Sequence, residues 1–217
     1  MARRTITLVL LLKAASSLWG QGKSPRVDVI RPDPVVAGSG VATTTISGVL
    51  TEGSRKEPLH AGFTTAIHGT LELWRKGGLL GTYDRESVFE WDVLIDYSPA
   101  TKTYHVRRVI DNRPQELGEV TTIEAAEQLV RQPYSPPLSP DRSGSKYFYL
   151  FKAEVSTLSL SDLEAWQRWL KGEAQPAVRG KRNPVGAIQR GLGALLSRAL
   201  GGDTQTYERR SSDFTAG

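Results

Sequence analysis

Three histidines are the imidazoles available for proton transfer or metal ligation: His60, His68 and His105. Nucleophilic catalysis needs a nucleophile, a base within hydrogen-bond reach and an orienting group. His60 and His68 fall in or beside one expected strand, eight residues apart. At about 3.3 Å per residue they would stand roughly 26 Å apart, too far to share a metal ion. His105 lies between Tyr104 and Val106 of an alternating run, which turns it to the opposite, wet face. Each histidine is therefore read as structural or solvent-exposed. Among carboxylates, Glu90, Asp92 and Asp96 share one face of a single strand, where mutual repulsion would raise a pKa. Glycoside hydrolysis needs two carboxyls about 5–10 Å apart across a cleft. One polar strand face supplies no cleft, so it is read as solvated, and a hydrolase is the weaker alternative.

Signature motifs are missing. There is no G-x-S-x-G elbow, no H-E-x-x-H pair, no phosphate loop and no calcium loop, and Gly38-Ser39-Gly40 reads as a turn. Trp91 and Trp166 sit on apolar stripes and read as core, with Trp169 extending the second contact. An aromatic platform for a carbohydrate is the functional alternative for them. No catalytic residue, cofactor or metal site is assigned. The 217-residue chain has no cysteine, which rules out thiol nucleophiles, disulfides, zinc–thiolate sites and iron–sulfur clusters.

Charge is distributed unevenly. The formal net charge is +5, but residues 1–22 carry +3 and residues 171–217 carry +4, leaving −2 on residues 23–170. A nucleic-acid binder would carry its basic face on the folded body, so no nucleic-acid partner is expected. Arg3 and Arg4, the apolar run Thr5–Leu12 and the small residues Ala14 to Ser17 read as a secretory signal peptide over 1–22. The run is closed by Lys13 and is far short of the roughly 20 apolar residues that span a bilayer. The mature chain is accordingly expected to lack a transmembrane span and to be periplasmic or extracellular.

The elements that position these residues are mostly strands. Val27 and Val29, followed by Pro32 and Pro34, predict a short edge strand, and Val41–Leu50 predicts another. Phe63–Trp74 runs into a Lys76-Gly77-Gly78 turn, with a return arm beginning at Leu79. Phe89, Trp91, Val93, Ile95 and Tyr97 alternate with polar residues, and so do Tyr147, Tyr149, Phe151, Ala153 and Val155. Ser98–Thr101 turns the chain toward a partner strand holding Tyr104 and Val106, and Asp111-Asn112-Arg113-Pro114 marks a further turn. Thr121 and Glu124 have capping-box spacing before a helix with Ile123, Ala126, Leu129 and Val130 on its stripe. Ser161 and Glu164 repeat that spacing for a helix through Lys171. Asn183-Pro184 opens a last helix whose stripe is Val185, Ile188, Leu192, Leu195 and Leu196.

Alternating strands without long helical crossovers predict an antiparallel, mainly β fold, a sandwich-like core with two or three peripheral helices. Residues 23–175 form the β-rich globular domain, and 176–217 a basic amphipathic helix and tail packing on it. Arg179, Lys181, Arg182, Arg190 and Arg198 in that element are the candidate contacts with a partner or membrane surface. The bland alternative is that its leucine stripe simply packs on the sheet.

The order of parts resembles a bacterial family of short exported proteins, the domain of unknown function 4390. The matching pieces are Phe89–Tyr97 with its Tyr104-x-Val106 return, the helix over 121–130, and Tyr147–Val155 with Leu158-Ser159-Leu160. The closing Tyr207 and Ser211-Ser212-Asp213-Phe214 complete the pattern, while the basic stretch 179–200 departs from it. The resemblance implies export and an association with the cell envelope, in some relatives beside a membrane sensor kinase. It implies no enzyme activity and carries over no site residues. Residues and resemblance together lead to the expectation of a non-enzymatic exported protein that binds an envelope or membrane-sensor partner. A periplasmic carrier of an apolar or lipid ligand is the alternative.

Overall fold

A computed structural model of the chain describes residues 26–30, 41–50, 53–77, 82–159, 164 and 204–217. The strands are β1 (Arg26–Ile30), β2 (Thr43–Ser47), β3 (Thr64–Lys76), β4 (Tyr83–Ser98), β5 (Thr103–Ile110), β6 (Arg113–Val120), β7 (Lys146–Leu158), β8 (Gln205–Arg210) and β9 (Phe214–Thr215). Among the described residues two helices accompany them, α1 (Gly53–His60) and α2 (Ile123–Val130). Every pairing between strands is antiparallel. The main sheet runs β6-β5-β4-β3-β7-β8, with β9 also on β7, and β1 pairs with β2 in a separate ribbon. The fold is mainly β with few helices, as the alternation requires. Among the described residues no helix is long and apolar enough to cross a membrane.

Residue pairing divides the sheet into two faces. Ile67, Gly69, Leu71 and Leu73 of β3 stand beside Phe89, Trp91, Val93 and Ile95 of β4, and beside Tyr149, Phe151, Ala153 and Val155 of β7. This near face is covered by Ala42, Ile46, Val49 and Leu50 around β2, Leu59 of α1, Ile123, Ala126 and Val130 of α2, Leu138 and Phe214. All of these side chains form one core. Trp91 stacks on Phe151 with centroids 5.5 Å apart and meets Tyr134 edge-on at 5.1 Å. Its indole lies flat over Gly69, where a Cβ would come within 2.6 Å of the ring. A side chain at position 69 would displace the largest aromatic of the core.

Several local expectations change. The return arm is part of one long strand, because β4 already pairs with β3 from Tyr83. A register shift between Leu73 and Trp74 keeps this twisted hairpin in phase. Arg113 and Pro114, expected within a turn, begin the edge strand β6. Asp111 and Asn112 turn into it with φ of 49° and 62°, the left-handed values a two-residue hairpin turn demands. His60 ends helix α1, which replaces the strand flank expected there. The cap of α2 is Thr122, shifted by one from Thr121, and its hydroxyl accepts from the Ala125 amide at 3.2 Å. The tail is sheet: β8 and β9 both pair with β7. Residues 1–22, the expected helix 161–171 apart from Glu164, and the helix after Asn183 lie outside the described residues.

Candidate functional site

The far face of β3, β4 and β7 collects the polar side chains. Strand alternation places His68, Thr70 and Glu72 of β3 beside Asp92 and Glu90 of β4 and Glu154 and Lys152 of β7. His68 Nδ1 and Asp92 Oδ1 are 2.9 Å apart, and His68 Nε2 lies 3.4 Å from Thr70 Oγ1. Neither member of the pair is solvated, since His68 is 9% and Asp92 5% exposed. This corrects the reading of the acidic strand face as merely solvated. Apolar neighbours on the same face, Ala66, Leu94 and Val109, are also buried, so alternation here sorted residues by face without making the outer face wet.

Electrostatics tie the group together. Burial opposes charging His68, but its hydrogen bond to Asp92 and the charges of Asp92, Glu90 and Glu154 outweigh that and raise its pKa. Burial is also the main cause that raises the Glu90 carboxyl, with the Asp92 charge adding to it. The expected carboxylate repulsion is present but secondary. One row further along, buried Glu72 accepts from Trp74 Nε1 at 2.8 Å and from Arg85 Nη1 at 3.0 Å, with Lys152 Nζ at 3.8 Å. Asp96 is held by Arg107 and by the Thr64 hydroxyl.

The Asp92–His68–Thr70 sequence has the order of an acyl-transfer triad, yet its setting opposes that chemistry. The Asp92 contact and the surrounding carboxylates favour the charged imidazole, whereas a base that activates a hydroxyl must be neutral. β3 is paired on both edges through this stretch, so its amides are spent in the ladders. No row of backbone N–H groups is left there to hold an oxyanion. Among the described residues no group of three or more histidines and carboxylates could hold a metal ion.

The other two histidines make contacts of their own. His60 Nε2 lies 2.6 Å from the Tyr104 hydroxyl, and its ring packs 4.4 Å from that of Tyr97. His105, on β5 between β4 and β6, faces Glu119 at 3.8 Å and Thr103 at 3.3 Å. Trp91 is core, as its stripe indicates. Arg179, Lys181, Arg182, Arg190 and Arg198 lie outside the described residues, as do Trp166 and Trp169.

A second surface was not visible in the spacing. Beyond the register shift, Trp74, Tyr83 and Arg85 share the far face with Phe148 of β7. Tyr83 is 40% exposed and meets Phe148 edge-on at 5.1 Å. Trp74 lies parallel to Phe148 with centroids 6.1 Å apart. Arg210 of β8 places its guanidinium 3.9 Å above the Phe148 ring and 5.9 Å from Tyr83, and donates to Asp213. The β3–β4 hairpin, β7 and β8 build this corner together, so only the register of the sheet reveals it. The chain matches no family model, no curated protein and no solved structure.

Proposed function

We propose that the protein is exported, is not an enzyme, and acts by binding a partner in the cell envelope through the Tyr83–Phe148–Arg210 corner. The observation that carries this reading is an exposed tyrosine set against a stacked phenylalanine and guanidinium. Tyrosine, tryptophan and arginine dominate binding energy at protein interfaces because they combine large contact area with a polar grip. The ordered arginine, held by Asp213, reaches a partner without first losing its side-chain freedom. The amino-terminal signal pattern and the resemblance to an exported family support the location. Carriage of an apolar ligand between sheet and helices is disfavoured by the near face, whose centre is filled by Ile67, Leu71, Phe151 and Val155 with no exposed surface.

The test places a photo-crosslinking phenylalanine analogue at position 83 in intact cells. A discrete adduct in the envelope fraction is expected, and it should disappear when Arg210→Ala is added. The same analogue at Lys102, on the exposed turn before β5, should give none. Equal labelling at positions 83 and 102, or an adduct indifferent to Arg210→Ala, would remove the corner from the proposal.

A further inference from the structure

The cations of the aromatic corner are already matched by carboxylates. Arg210 donates to Asp213, and the two side chains are 45% and 41% exposed. Arg85 donates to buried Glu72 at 3.0 Å in the same way. A guanidinium neutralised by a neighbouring carboxylate attracts a further anion only weakly. What the half-exposed Arg210–Asp213 pair does present to solvent is N–H donors and carboxylate oxygens side by side. An alcohol uses both kinds of group, because each hydroxyl donates one hydrogen bond and accepts others. The charge balance of the corner therefore suits a neutral ligand rich in hydroxyls.

The rings favour the same ligand. Tyr83 is 40% exposed and is fixed by its edge-on contact with Phe148 at 5.1 Å, so part of its ring stands ready in water. Trp74 lies parallel to Phe148, and its Nε1 is committed to Glu72, so it adds apolar surface to the same patch. A gluco-configured pyranose has the matching pair of properties. Its hydroxyls point outward around the rim, and its axial C–H bonds make the two faces apolar. Such C–H groups are slightly positive and rest on the negative face of an aromatic ring. Arg210 Cζ lies 5.9 Å from the centre of the Tyr83 ring, so a pyranose laid on Tyr83 carries its rim hydroxyls toward Arg210 and Asp213. Trp91, a sequence candidate for an aromatic carbohydrate platform, is 3% exposed and lies on the opposite face of the sheet. We propose that the corner binds a neutral glycan of gluco-configured pyranoses, stacked on Tyr83 and hydrogen-bonded by Arg210 and Asp213. This rests on the corner being the contact surface of the protein and names the chemistry of what it contacts.

Titration of cellotetraose and N-acetylated chitotetraose into the isotope-labelled full chain tests the proposal. The readout is the indole N–H resonance of Trp74, identified by its loss in Trp74→Phe. At least one of the two glycans should shift this resonance saturably. Tyr83→Ala should weaken the response about tenfold through loss of the stacking surface. Asp213→Ala should weaken it about tenfold through loss of a charged acceptor. Amide resonances outside the corner report folding, and if either variant unfolds, Arg210→Lys takes its place with a loss of the same order. Absence of a saturable shift with both glycans would overturn the proposal, as would an undiminished response in Tyr83→Ala. A stronger response to dextran sulfate than to either neutral glycan would also overturn it, because the ligand would then be an anion. Photo-crosslinking from position 83 in cells separates this inference from the reading beneath it. An adduct carrying glycan supports both. An adduct with a protein alone, with Trp74 unmoved by either glycan, keeps the corner and rejects the glycan, whereas no adduct rejects the corner as a contact surface.

Discussion

His68 sits where three carboxylates bear on one imidazole: Asp92 in contact, with Glu90 and Glu154 adding their charge. Its folded pKa stands above the ordinary 6.5, so its contribution to stability is present in full below pH 6.5 and is lost as pH rises through the folded value. Glu90 acts with the same sign. Its pKa is raised above the ordinary 4.5 by burial, so ionisation costs more in the folded chain, and stability falls as pH rises through its folded value. Urea denaturation from pH 5 to pH 8.5 should show stability declining with pH, and His68→Gln should remove the part of the decline above pH 6.5. A flat wild-type profile across that range, or an unchanged slope in His68→Gln, would contradict the coupling. A second residue-scale outcome concerns Gly69. With Trp91 atoms 2.6 and 2.7 Å from the position of a Cβ, Gly69→Ala should cost about 1–3 kcal/mol by overpacking, read from the shift of the urea midpoint. The sequence placed Glu90, Asp92 and Asp96 on one face correctly. It did not disclose that His68 joins them, because cross-strand register, which pairs His68 with Asp92, is a tertiary fact.

At the scale of elements, what was legible followed burial. β4 and β7 each have one face in the core, so their apolar residues repeat every second position. β6 is an edge strand whose residues are mostly exposed, and its sequence RPQELGEV accordingly carries no period. α1 reads GSRKEPLH, with a proline and a single deeply buried apolar residue, Leu59. Nothing in such a stripe marks a helix. α2 was legible from its cap and stripe, but its most consequential residue was not. Glu127 points from α2 to the turn after β2, where its two oxygens accept from the Gly48 and Leu50 amides. It is a buried carboxylate satisfied by backbone, joining helix to ribbon across 77 residues of sequence. Glu127→Ala would leave both amides without an acceptor and should cost about 2–3 kcal/mol. Faster hydrogen exchange at Gly48 and Leu50 than at neighbouring amides should accompany the loss. Protection at both amides equal to wild type would show that another acceptor serves them.

At the scale of the whole sheet, residues 205–215 complete the β7 side. The expected partition gave residues 23–175 to the β-rich domain and 176–217 to a basic amphipathic helix and tail packing on it. The register puts Gln205 opposite Val155 and Arg210 opposite Leu150, so β8 adds the outermost rung of the main sheet beside β7. β9 then pairs with the opposite end of β7. Phe214 stacks on Tyr147 and Tyr149 with centroids 5.9 and 5.4 Å away, which makes it part of the near-face core. The Ala216 amide donates to Ser145 and its carbonyl accepts from Gly144, fixing the last residues to the loop before β7. A tail merely resting on a finished domain would be dispensable for its stability, whereas one that supplies core and sheet edge would not. Phe214→Ala should therefore destabilise the entire sheet by about 3–5 kcal/mol, lowering Tm by roughly 6–20 °C for a chain of this size. The loss should register in one cooperative transition, by near-ultraviolet circular dichroism of the core aromatics and by far-ultraviolet signal together. A separate early transition confined to the tail, with the remaining sheet melting at the wild-type temperature, would instead support the two-part organisation.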